Sequence, residues 1–171
     1  MFAGNLLYVR ARATLWGGLA ALGLGLTGCP GDGPEPIGDP VRFEVGTGRY
    51  FTPLEEGATL ELVEGGQGSQ HVFVSMRAWD LTDMNARVEM SLKRTSDGAR
   101  VSSRYRVDLR FDRGLMEGDP AQLEGLLLVV PDVAEAVGQE VRLEASFTAE
   151  NGQHGSDSHL GTLQWAETTF P

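Results

Sequence analysis

From Val41 onward apolar side chains recur at every second position, the period of a strand with one buried face. Val41, Phe43 and Val45 alternate with Arg42 and Glu44. Val72, Val74, Met76 and Ala78 alternate with Phe73, Ser75 and Arg77, and Val88, Met90 and Leu92 with Arg87, Glu89, Ser91 and Lys93. Val101, Ser103, Tyr105, Val107, Leu109 and Phe111 form one face of a long strand, and Arg104, Arg106, Asp108 and Arg110 form the other. Residues 123–130 are almost wholly apolar, as in a central strand covered on both sides. Val141, Leu143, Ala145, Phe147 and Ala149 alternate with Arg142, Glu144, Ser146, Thr148 and Glu150. Shorter runs at 59–63 and 160–165 complete the pattern.

One register can be read directly. Asp97-Gly98 is a two-residue hairpin signal. Pairing Ser96 with Ala99 sets Met90 opposite Tyr105, Val88 opposite Val107 and Leu92 opposite Ser103. The same register places Glu89 against Arg106 and Arg87 against Asp108, so the apolar and ionic patterns agree. Asn151-Gly152 fits less well. A two-residue turn there turns Leu163 and Trp165 outward, so the expectation is a long polar loop reaching about Ser158. The stretch Asp132-Val133-Ala134-Glu135, with Gly138 as a stop, predicts one short helical turn near 132–137. About seven or eight strands and no long helix make this an all-β chain. The last forty residues resemble the end of an Ig-like domain, which implies an antiparallel β-sandwich. The Cys…Trp…Cys spacing of antibody domains is missing.

The first forty residues follow different rules. Arg10 and Arg12 precede an apolar run at 13–26 that is shorter than the roughly 20 residues a membrane span needs. It ends in Leu26-Thr27-Gly28-Cys29. This resembles the lipobox of bacterial lipoproteins. The resemblance implies cleavage after a signal peptide at 1–28 and a diacylglycerol with a further acyl chain on Cys29. Pro30 stands where Asp retains many such proteins at the inner membrane, so the expected location is the outer membrane, on its periplasmic or surface face. Residues 29–40 carry four Pro and three Gly after Cys29 and predict a tether that reaches on the order of 30 Å. Residues 41–171 are then the folded domain.

The formal charge of the whole chain is −10. Without residues 1–28 it has 12 basic against 24 acidic side chains. Such acidity argues against nucleic acid as a partner. A single cysteine excludes an internal disulfide and any cysteine-rich metal cluster.

Candidate chemistry is sparse. Gly65-Gly66-Gln67-Gly68-Ser69-Gln70-His71 runs into the strand at Val72, with no Lys-Ser/Thr and no following helix, so it fits neither a Walker loop nor a dinucleotide fingerprint. It resembles a Gly-Gln-Gly-x-x-His segment of uncharacterised secreted or lipid-anchored bacterial β-proteins. Ser69 stands where such segments typically carry a second Gly, as Gly-x-Gln-Gly-Gly-x-His. Gln67 and His71 are candidate binding residues, as is Trp79, which like Trp165 is a candidate sugar-stacking ring. His71 with His154 and His159 is the alternative, a periplasmic metal site. His154, Ser156, Asp157 and His159 supply triad residue types, but they are consecutive and lack a nucleophile elbow. Asp80, Asp83 and Asn85 lack EF-hand spacing. Residues 93–113 hold seven basic and three acidic side chains, a face able to attract acidic glycans or lipid phosphates.

The sequence therefore predicts a lipid-anchored envelope protein with a non-catalytic binding or structural domain. It predicts no catalytic residues, metal or cofactor beyond the lipid on Cys29. The expected partners are the membrane, through that anchor, and an envelope protein or glycan.

Overall fold

The computed structural model describes residues 38–66 and 68–167. The expected signal peptide, Cys29, most of the expected tether and Gln67 lie outside them. The described residues are all-β, with nine strands: β1 (Phe43–Thr47), β2 (Thr52–Pro53), β3 (Ala58–Glu64), β4 (Gln70–Ala78), β5 (Asn85–Arg94), β6 (Tyr105–Arg110), β7 (Ala121–Val129), β8 (Glu140–Ala149) and β9 (His154–Trp165). They form one curled, mixed sheet in the order β2-β1-β4-β3-β9-β8-β5-β6, with β7 paired to β4 off this path.

The branch at β4 gives the sheet its curl. One edge of β4 pairs with β7 along its length. The other edge is shared: β3 takes residues 70–72 and β1 takes residues 74–78. β3 then continues as the parallel neighbour of β9, Ala58 opposite Gly161 through Leu62 opposite Trp165. Alternate residues of both arms face one core, including Val45, Leu62, Val74, Met76, Val88, Leu92, Leu143 and Leu163. Phe147 packs at 5.2 Å between ring centroids against both Phe43 and Phe111.

The β5–β6 register is the one expected, Asn85 opposite Arg110 through Met90 opposite Tyr105. The ion pairs Arg87–Asp108 (2.8 Å) and Glu89–Arg106 (3.1 Å) form with it. The turn differs. Arg94 N–H donates to Ala99 O, and Lys93 bridges Arg100, a register two residues out of phase with the body of the hairpin. Residues 101–104 absorb the mismatch. Ser103 N–H turns away to Val129 O of β7, and Ser102 Oγ accepts the Leu92 N–H in place of a strand partner. Leu92 thus does not face Ser103, and the long strand expected from Val101 begins only at Tyr105.

Three further expectations are corrected. No helical turn forms near 132–137; the segment is a chain of bends and turns, with Val137 N–H donating to Val133 O at 2.9 Å before Gly138 N–H is captured by Leu163 O. The segment 154–158 is strand, not loop. A three-residue turn at 150–152, with Gly152 at φ 90°, shifts the pairing by one and buries Leu163. Residues 121–129 are an edge strand, whose one strand partner is β4; a bulge at Gly125 (φ 65°) interrupts the alternation, and Leu127 is 47% exposed.

Candidate functional site

The registers sort the connecting segments to two ends. Ala78 opposite Phe43 and Ala121, Asn85 opposite Arg110, and Thr148 opposite His154 place four segments at one end: 38–42, 79–84, 111–120 and 150–153. The chain enters the domain here: His154 N–H donates to Asp39 O, and Val41 N–H donates to His154 O.

Side-chain hydrogen bonds hold this end in shape. Gln153 Oε1 accepts from Thr82 N–H (2.9 Å) and Thr82 Oγ1 (2.8 Å), and its Nε2 donates to Asp80 O at 3.0 Å. Asn151 Nδ2 adds a bond to Thr82 Oγ1 at 2.9 Å. Asp80, so clamped, sits at φ 57°, a left-handed conformation rare outside glycine. Trp79 N–H donates to Arg42 O, and the Arg42 guanidinium lies 4.0 Å above the indole centroid. That cation covers one face of Trp79 and is itself paired to Glu44 at 2.6 Å.

Between segments 78–84 and 113–121 lies an open cleft of about 430 Å³. Leu81 and Met84 give it an apolar wall, and Asp80, Arg113, Glu117 and Asp119 give it charge of both signs. The segment opposite is a built turn. Met116 N–H donates to Asp119 Oδ2 (2.9 Å), Asp119 N–H donates to Met116 O (3.1 Å), and Gly118 has φ 89°. A Cβ on Gly114 would lie 2.3 Å from that of Asp119, so only glycine fits there. The turn presents Leu115 and Met116 to solvent, 99% and 73% exposed. Sequence reasoning missed both residues, because they belong to no periodic run. The available signal was local: two large apolar residues framed by Gly114, Gly118 and Pro120.

The two predicted binding residues that are described, His71 and Trp79, do not converge. His71 and Trp79 lie eight residues apart along β4, or roughly 25 Å, at opposite ends of the sheet. His71 is buried, edge-on to Phe73 at 5.1 Å. Burial lowers its pKa below the ordinary imidazole value, partly offset by the Ser69 backbone. Gly65 makes room for it, since a Cβ there would lie 3.1 Å from the His71 ring. His71 therefore plugs the far end of the core. Trp165 is 48% exposed, on the edge next to β3.

The other histidines have local partners. His154 Nδ1 lies 3.2 Å from Gly152 O. His159 Nε2 lies 3.1 Å from Asp157 Oδ2, and the same oxygen accepts Val45 N–H at 2.9 Å. Among the described residues no three His, Cys, Asp or Glu side chains are placed to hold a metal. Strand alternation also sets Ser156 and Ser158 on the face opposite Asp157 and His159, so these residues do not assemble a triad. Three of the seven basic side chains of 93–113 are ion-paired: Lys93 to Glu144 (2.6 Å), Arg94 to Asp97 and Glu135, and Arg106 to Glu89.

No family model, no curated protein and no solved structure matches the chain.

Proposed function

We propose that this chain is a bacterial lipoprotein, fixed to the cell envelope through a diacylated Cys29, whose β-domain is a non-catalytic binding or structural module. One observation carries the reading: basic residues, a short apolar run, Leu26-Thr27-Gly28-Cys29 and a Pro/Gly-rich tether follow one another in the order that lipoprotein processing needs. The domain is an Ig-like sandwich. Two strand groups support this, β7-β4-β1 and β6-β5-β8-β9, with β3 crossing from β4 in the first to β9 in the second. The contact surface is the end that carries the cleft. Its loops are cross-braced by Gln153, which fits a preformed surface more than a mobile one.

The test is cross-linking in living cells. The wild-type chain and its Cys29→Ser form are recovered and their cross-linked neighbours identified by mass spectrometry. Discrete envelope partners that disappear with Cys29→Ser are the expected result. The same partners on both forms, or cytosolic ones, would overturn the anchored role.

A further inference from the structure

We propose that the turn at 114–119 is a second, non-covalent membrane contact, with Leu115 and Met116 inserting into the bilayer that carries the lipid anchor. The inference rests on the anchor reading above. Three observations point to it.

The first is the turn itself. Leu115 and Met116 are adjacent, exposed and held on a backbone that is already ordered by Asp119 and Gly118. Insertion therefore costs little conformational entropy. A lone exposed leucine needs no explanation, but an ordered turn that offers two large apolar side chains at its tip does.

The second is position. The turn lies at the end where the chain enters the domain at residues 38–42. Eight residues, 30–37, separate that entry from the lipidated Cys29, a span of at most about 30 Å. The end that carries the turn is thus the end the tether pulls toward the lipid. Two inserted side chains cannot recruit a domain from solution. Once the domain is tethered their insertion is intramolecular, and weak contacts become effective.

The third is charge. Asp80, Glu117 and Asp119 line the cleft beside the tip together with Arg113, an excess of acidic over basic side chains. Anionic lipids would repel this rim, so a zwitterionic surface is the fitting partner. A second copy fits poorly, because two side chains fall far short of the ~800 Å² per partner that a stable interface buries.

The experiment uses the full chain, produced in a lipoprotein-processing bacterium, purified from membranes and reconstituted into phosphatidylcholine vesicles. Lipidation consumes the only native thiol, so Leu115→Cys supplies a single site for an environment-sensitive fluorophore. Ser96→Cys, on the exposed turn at the far end, is the control. Vesicles with and without a lipid-borne quencher report depth, and intact mass reports the lipid on Cys29.

The expected result is blue-shifted, several-fold brighter emission at 115, quenched from within the bilayer. The probe at 96 should stay unquenched, and adding Met116→Asp should abolish the signal at 115. If the mass shows a lipidated Cys29 yet 115 behaves like 96, the membrane contact is wrong while the anchor stands. If the mass shows no lipid on Cys29, the anchor reading fails and this inference falls with it. A signal at 115 that depends on protein concentration but not on the quencher would assign the tip to a second copy and overturn the proposal.

Discussion

Ser75 shows how much one hydroxyl can join. It is fully buried in β4, donates to Gly48 O at 2.9 Å and accepts from Gly125 N–H at 3.1 Å. Both glycines have positive φ, so the hydroxyl ties the turn after β1 to the bulge in β7. Ser75→Ala leaves two part-buried backbone groups without this partner and is expected to cost about 1–3 kcal/mol. Denaturant melts with an unchanged m-value would show it. His71 is a second point of leverage. Its pKa is lowered in the folded state by burial, so the unfolded chain holds more protons just below the ordinary value of 6.5. Stability gained from keeping this imidazole neutral is full above that value and falls as the pH drops through it. Between about pH 7.5 and about pH 5.5 the wild type should lose more thermal stability than His71→Gln. Parallel losses in the two proteins would contradict the assignment.

Elements are held in register by side chains where the backbone ladder gives out. β1 and β9 diverge after the Pro40–His154 bridge, and the Asp157 carboxylate spans the gap to Val45 N–H. Gly155 permits this approach, since a Cβ there would lie 2.6 Å from Phe43 Cβ and 3.0 Å from the Phe147 ring. Gly155→Ala should therefore destabilise by about 1–3 kcal/mol, read from equilibrium unfolding, and a neutral result would contradict the close packing.

This scale also separates what the sequence made legible from what it hid. The β5–β6 register was readable because apolar and ionic pairs on opposite faces both demanded it. The loop beside it was not, because Ser102 and Ser103 make bonds that no periodicity encodes. The segment 154–158 looked like loop because Gly155, Ser156 and Ser158 carry no apolar signal. It is strand because β8 supplies a partner for each of its residues. Leu115 and Met116 stood outside every pattern, and Trp79 was identified by residue type rather than by position.

At the scale of the molecule the two ends of the described domain are built differently. The far end is closed by His71 and by the turns around Arg94, whose guanidinium holds Asp97 and Glu135 and draws the Asp97 carboxyl down to about 2. The near end gathers the chain entry, the cleft and the apolar tip around the Gln153 brace. Gln153→Ala should free segment 79–84 from the 150–153 turn. Amide exchange at Thr82 is expected to quicken, while that of β4 and β8 stays slow. Uniform acceleration across the sheet would mean that the brace supports the whole fold.

The proposed lipid anchor stands or falls on Cys29. The most direct measurement is the intact mass and N-terminal peptide of the protein taken from the membranes of the cells that make it. The account predicts a chain that begins at Cys29 and carries a diacylglycerol, with residues 1–28 gone. A chain that retains residues 1–28, or one with an unmodified Cys29, would contradict it.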